Sequence, residues 1–125
     1  MGFIAKWDND AQSQIVSVVR GEWSWPEFID HVLCLHGMIE AADHAVDVIV
    51  PGMDEADYPA EELAGKLRQL RETDPPHMGL LVLVCETRSA RTMRNVMGRI
   101  YDADRIECVN SLDAARALLA AKHTA

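Results

Sequence analysis

Hydrophobic residues follow two spacings along this chain, one typical of buried strands and one typical of amphipathic helices. Two short β-type runs come first, Phe3–Trp7 and Gln14–Arg20, separated by the turn-forming cluster Asp8–Ala11. Together they predict an antiparallel hairpin. A helix is predicted next, from about Trp25 to Ala42, because one apolar stripe recurs at helical spacing through Phe28, Val32, Leu35, Ile39 and Ala42.

The rest of the chain alternates between strands and helices. Three further strands are predicted, at Ala45–Val50, Gly79–Cys85 and Arg105–Val109. Three further helices are predicted, one starting near Pro59, one spanning 89 to 101, and one capped by Ser111. Gly79–Cys85 is apolar without alternation, which indicates a central strand buried on both faces.

This order predicts the fold class directly. The elements read β-β-α-β-α-β-α-β-α, which indicates a single α/β domain over residues 1–125. We expect a mixed, mostly parallel five-stranded sheet with right-handed crossovers, an N-terminal antiparallel hairpin and four helices.

The stretch WSWPEF, at 23–28, concentrates aromatic residues at the predicted start of the first helix. Ser24 fits the N-cap, and Glu27, three residues later, completes a capping box. Trp23 and Phe28 occupy the positions of a hydrophobic staple. Trp25 is needed by neither motif, so we expect it to cover the hairpin or to remain a partly exposed aromatic at a partner surface.

In size and element order the chain resembles the STAS fold, a family that includes anti-sigma-factor antagonists and the cytoplasmic domains of sulfate transporters. The resemblance covers nearly the whole chain and implies a regulatory role. In anti-sigma-factor antagonists a Ser or Thr is phosphorylated in the loop after a central strand. The matching stretch, Val50–Glu62, contains neither residue, so that switch is not carried over. Asp54, Glu55 and Asp57 either mimic the phosphorylated state or, more simply, form a solvated acidic loop before a helix.

Charge and hydropathy exclude two classes of partner. The formal net charge is −8 and the pI about 4.9, which disfavours binding to nucleic acid phosphates. No stretch approaches the ~18 consecutive apolar residues of a membrane span. The N-terminus lacks the pattern of a signal peptide. We therefore expect a soluble, acidic, cytoplasmic protein with neither nucleic acid nor membrane as partner.

The cysteines and histidines predict no cofactor and no metal. Cys34, Cys85 and Cys108 are widely spaced, with no CxxC pair, and are expected to be free, reduced thiols. His31 and His36 lie five residues apart on the first helix, about 140° around its axis. They flank the apolar stripe on opposite sides, so they cannot bind one ion together.

The strongest candidate site follows the strand Gly79–Cys85. Ligands of open α/β sheets bind beyond the carboxyl ends of strands, and helix N-termini favour anions. The residues at this edge are Thr87, Arg88, Ser89, Arg91 and Arg94. They predict a site for a phosphate or carboxylate group, or a docking face for an acidic partner. The alternative is that these arginines pair with the acidic loop at 54–57.

The sequence thus favours a non-catalytic binding or regulatory module that acts through a protein partner or a small anionic ligand. A second interpretation is a small enzyme that uses the strand edge from Cys85 to Arg91, although no general base has a defined spacing to Cys85. A third is a homo-oligomeric structural protein, and a homodimer is compatible with the first interpretation as well.

Overall fold

A computed structural model describes residues 2–22, 24–51, 56–57, 63–73, 75, 78–100 and 105–124. The strands are β1 (Gly2–Trp7), β2 (Gln14–Glu22), β3 (Val46–Val50), β4 (Ala56–Asp57), β5 (Met78–Val84) and β6 (Ile106–Val109). The helices are α1 (Trp25–Ala41), α2 (Leu63–Arg71), α3 (Arg88–Ile100) and α4 (Leu112–Thr124).

The strands form one mixed sheet in the order β1-β2-β3-β5-β6, and the two-residue strand β4 pairs with the end of β2. Strands β1 and β2 are antiparallel, and every other pairing is parallel. Strands β2, β3, β5 and β6 therefore end at the same edge of the sheet. The sequence of elements and the mixed sheet confirm the predicted fold class, and the arrangement is compatible with a STAS-like topology.

The winding of the chain decides which face each helix covers. From β2 to β3, β5 and β6, each crossover advances in the same direction along the sheet. When successive β-α-β crossovers have the same handedness and add strands in the same direction, their helices lie on the same face of the sheet. Accordingly α1, α2 and α3 pack over one core, with Leu35, Ile39 and Leu67 buried in it. Helix α4 covers the other face through Ala115 and Leu119.

The central strands are packed on both faces of the sheet, as the sequence predicts for β5. All five residues of β3 are buried. In β5, Leu81 and Leu83 belong to the core under α1–α3, whereas Val82 packs in the core under α4. This alternation gives each face a continuous apolar layer, which explains why the run from 79 to 85 carries no polar residue.

The start of α1 confirms the predicted capping box. The Ser24 hydroxyl accepts from the Glu27 backbone N–H at 3.5 Å, and Glu27 Oε1 accepts from the Ser24 N–H at 3.3 Å. Trp25 is half-buried and meets Phe28 edge-on, with ring centroids 5.7 Å apart. Because Phe28 in turn lies 6.0 Å from Phe3 of β1, the aromatic cluster joins α1 to the hairpin. The staple residue Trp23 lies outside the described residues.

Replacing Ser24 by alanine should lower the free energy of unfolding by about 1 kcal/mol, because the Glu27 N–H would lose its capping acceptor. Urea denaturation of the parent and the variant would measure this. Ser24→Asp is the matched control, since aspartate is an equally good capping residue. Equal stability of the alanine variant and the parent would show that the cap contributes nothing.

Candidate functional site

An open pocket lies beyond the carboxyl ends of β5 and β6, where the chain passes from the face covered by α3 to the face covered by α4. Its volume is about 670 Å³. Helices α3 and α4, which lie on opposite faces of the sheet, both contribute residues to its lining. Its described lining consists of Cys85, Arg91, Arg94, Asn95, Glu107, Cys108, Val109, Asn110 and Ala114.

Two of the five predicted site residues, Arg91 and Arg94, line this pocket. They are three residues apart on α3 and so project on the same side of the helix. Thr87 and Arg88 are exposed at the start of α3 and are not among the described lining. The side chain of Ser89 lies outside what the structure describes, so its predicted role stays a prediction.

The pocket has a positive and a negative side. Arg91 is exposed and Arg94 half-buried, and among the described residues neither guanidinium lies within ion-pair distance of a carboxylate. Glu107 of β6 supplies the one carboxylate of the described lining. The described lining thus carries two guanidinium groups and one carboxylate, a formal excess of one positive charge in a protein whose net charge is −8.

The predicted pairing of these arginines with the acidic loop stays a prediction. Asp54 and Glu55 lie outside the described residues, as do Gly52 and Met53. The next two residues of that loop, Ala56 and Asp57, form β4 and pair with the end of β2.

Sequence reasoning missed several residues of the lining. Asn95 had a detectable signal, because it lies four residues after Arg91 and therefore on the same helix face. Glu107 and Asn110 become neighbours of α3 only through the pairing of β5 with β6. Asn95 and Asn110 each bring an amide group that can both donate and accept hydrogen bonds.

The structure corrects the expected state of two cysteines. Cys85 and Cys108 form a disulfide rather than two free thiols, and Cys34 is a free, exposed cysteine. The cause is strand register, because Leu83 lies opposite Cys108 and the Cys85 N–H donates to the Val109 carbonyl at 2.9 Å. The resulting Cα–Cα distance of 6.3 Å lies within the range that a disulfide spans. In this state Cys85 has no thiol to act as the nucleophile of the enzyme interpretation.

Helix α4, whose first turn borders the pocket through Ala114, is tied to the hairpin by Arg116. Its guanidinium donates to both carboxylate oxygens of Asp8, Nη2 to Oδ1 at 2.8 Å and Nε to Oδ2 at 3.0 Å. The amide of Gln14 donates to Oδ2 at 2.7 Å. The hydrogen bonds from Arg116 hold the pKa of Asp8 below its ordinary value, against the opposing effect of burial. Asp8 therefore stays ionised and fixes the lateral position of α4.

A buried carboxylate holds the other end of α4. The side chain of Asp47, in β3, is 1% exposed, and its Oδ1 accepts from the Leu80 backbone N–H at 2.7 Å and from Lys122 Nζ at 2.8 Å. This oxygen therefore connects β3, β5 and the last turn of α4. The contacts of Lys122 with Asp47 and of Arg116 with Asp8 together set the position of α4, and the start of this helix lines the pocket.

A serine–histidine pair lies under α1, away from the pocket. Ser17 Oγ is 2.6 Å from Nε2 of His31, and the His31 ring stacks on Phe3 with centroids 5.0 Å apart. Burial lowers the pKa of His31, which favours its neutral form. Ser17 is only 3% exposed, so its hydroxyl is closed off from substrate. The hydrogen bond pairs the buried Ser17 hydroxyl with the half-buried His31 ring and does not form a nucleophile–base site.

The histidines of α1 have separate partners. Whereas His31 reaches β2, His36 is buried and its Nδ1 lies 3.1 Å from Thr73 Oγ1, just after α2. Within the described ranges, no group of three or more histidine, cysteine, aspartate or glutamate side chains is arranged to hold a metal ion. No helix in the described part of the chain is long and apolar enough to cross a membrane.

No protein-family model matches the chain, and no curated protein or solved structure gives a significant match.

Proposed function

We propose that this protein is a STAS-like, non-catalytic binding module that takes a small anionic ligand, with a phosphate or carboxylate group, in the pocket between α3 and α4. The observation that carries the proposal is the pair Arg91 and Arg94, which line an open pocket without a carboxylate partner among the described residues.

The position of the pocket supports this assignment. Parallel α/β sheets bind ligands beyond the carboxyl ends of their strands, where backbone groups and helix ends are accessible. Here β5 and β6 end at the pocket, and α3 brings two guanidinium groups to it. Guanidinium groups present planar pairs of donors that match the oxygens of a carboxylate or a phosphate.

The polar groups around the arginines favour a ligand with more than one functional group. Asn95 and Asn110 offer amide donors and acceptors on two sides of the pocket, and Glu107 offers an acceptor for a hydroxyl or ammonium group. A ligand that carries an anionic group together with a hydrogen-bond donor satisfies this lining better than a bare inorganic anion.

Substituting both pocket arginines, in Arg91→Gln/Arg94→Gln, should weaken anion binding by about tenfold or more, because each exposed charge-assisted hydrogen bond contributes on the order of 1 kcal/mol. Amide chemical shifts of the ¹⁵N-labelled protein would be followed during titration with inorganic phosphate, pyrophosphate and citrate. The shifts should centre on Arg91–Asn95 and Asn110, and added chloride should reduce the apparent affinity.

Two single substitutions on the same helix provide the controls. Arg99→Gln removes the same charge from the last turn of α3, outside the described lining, and should keep the parent affinity. Arg88→Gln tests the first turn of α3 in the same way. Absence of shifts around the pocket, or an equal loss of affinity in Arg99→Gln, would overturn the proposal. A larger loss in Arg88→Gln than in the double variant would move the site to the start of α3.

A further inference from the structure

We propose that the Cys85–Cys108 disulfide is a reversible thiol–disulfide couple that exchanges with a small, carboxylate-bearing thiol admitted through the pocket. The two cysteines border the same cavity as Arg91 and Arg94. A disulfide in a cavity that also carries positive charge is open to attack by an anionic thiolate. The choice of an anionic thiol rests on the proposed anion site, whereas the exchange itself does not.

Burial distinguishes the two cysteines. Cys85 is 1% exposed at the end of β5, whereas Cys108 of β6 is half-buried. An incoming thiolate must approach along the S–S axis, so it reaches the sulfur nearer to the open side of the cavity. The geometry therefore assigns Cys108 as the attacked residue and Cys85 as the leaving group.

The exchange balances in two steps. The thiolate of one small thiol attacks Sγ of Cys108, forms a mixed disulfide there, and expels Cys85 as a thiolate, which takes up a proton. A second small thiolate attacks the sulfur of the first small thiol in that mixed disulfide. The products are the free Cys108 thiol, after protonation, and the disulfide of the small thiol. The protein gains two electrons and two protons, and the two small thiols lose them.

The charges of the lining define the class of co-reactant. Arg91 and Arg94 suit two carboxylate groups, and Glu107 suits one ammonium group. A small peptide-like thiol that carries two carboxylates and one ammonium group complements this pattern, and glutathione is the available probe with that chemistry. A neutral thiol such as 2-mercaptoethanol reaches the same sulfur without this complementarity.

The experiment measures exchange rates in a Cys34→Ser background, which removes the exposed free thiol of α1. The oxidised protein is treated with glutathione or 2-mercaptoethanol, and alkylation followed by intact mass counts the released thiols over time. In Arg91→Gln/Arg94→Gln, the ratio of the glutathione rate to the 2-mercaptoethanol rate should fall about tenfold, since local positive charge accelerates encounter with anions. Arg99→Gln should keep the parent ratio.

Two cysteine variants test the direction of attack. Cys85→Ser, treated with oxidised glutathione, should form a stable mixed disulfide at Cys108, and Cys108→Ser should form far less at the buried Cys85. Circular dichroism confirms that each variant is folded. Two free thiols in the air-oxidised Cys34→Ser protein would overturn the couple, and equal modification of the two variants would overturn the assignment of Cys108 as the attacked residue. An unchanged rate ratio in the double arginine variant would show that the two arginines do not favour a carboxylate-bearing thiol, and would overturn that part of the proposal. The anion site itself is tested separately by the phosphate titration.

Discussion

Replacing Asp47 by alanine should lower the free energy of unfolding by about 2 to 4 kcal/mol. The side chain is 1% exposed and its Oδ1 accepts from both the Leu80 N–H and Lys122. Alanine leaves the Leu80 N–H without that acceptor inside the sheet, which costs roughly 1–3 kcal/mol. The lost ion pair adds less, because the Lys122 side chain is 44% exposed and its ammonium group can return to water.

The same substitution should loosen the end of α4, since Lys122 loses its anchor. Urea denaturation measures the stability, and hydrogen exchange of the α4 amides measures the local effect. Asp47→Asn is the matched control. Its amide oxygen can still accept from the Leu80 N–H, while the charge is lost and the other oxygen becomes an NH2 group, so it should cost clearly less than the alanine variant. A loss below about 0.5 kcal/mol for Asp47→Ala, the range of ordinary surface substitutions, would show that the buried carboxylate does not hold the strands and helix together.

Most of the fold could be predicted because its signals are local and periodic. The apolar run at β5 and the stripe on α1 each need only one stretch of sequence. The alternation of strands and helices then implies parallel pairing. Strand β4 could not be found this way, because two residues carry no period. Its pairing with Gly21 and Glu22 of β2 depends on tertiary contact alone.

The candidate site was predictable on one side only. Arg91 and Arg94 follow from a general rule about the carboxyl ends of strands, applied to a single strand and its helix. The opposite side, with Glu107, Cys108 and Asn110, depends on which strand lies beside β5 and in which register. The disulfide could not be predicted for the same reason, because a separation of 23 residues between two cysteines does not show how β5 and β6 are aligned.

Asp47 shows a second limit of predicting tertiary contacts from local sequence patterns. Within Val46–Val50 the carboxylate interrupts an apolar strand, which signals a buried partner but does not identify it. The partner, Lys122, lies 75 residues later, on a helix whose sequence indicates only that a cation suits its end. The contact between Asp47 and Lys122 thus depends on α4 covering the face of the sheet opposite to α1, α2 and α3. That placement follows from the order in which the strands are added to the sheet.

Adding one methyl group at Gly79 should destabilise the fold by about 2 to 3 kcal/mol, the cost of overpacking a closed site. A Cβ atom built there would overlap Asp47 Oδ1 and lie 3.1 Å from the Val46 carbonyl oxygen. Neither atom moves easily, because Oδ1 is held by Leu80 and Lys122 and the carbonyl belongs to the backbone of β3. Gly79 is therefore the residue that lets the carboxylate approach β5.

The double variant Asp47→Ala/Gly79→Ala tests whether the cost of Gly79→Ala comes from overlap with the Asp47 carboxylate or from a general intolerance of alanine in β5. In the Asp47→Ala background the overlapping oxygen is gone, so Gly79→Ala should cost only about 1 kcal/mol, giving a coupling of roughly 1–2 kcal/mol in a double-mutant cycle. Gly37→Ala on α1 is the control, since among the described residues no atom outside the neighbouring helix backbone lies within 4 Å of its added Cβ. It should stabilise the protein by up to about 1 kcal/mol through helix propensity. Additive costs for Gly79→Ala and Asp47→Ala would contradict the packing of the carboxylate against Gly79.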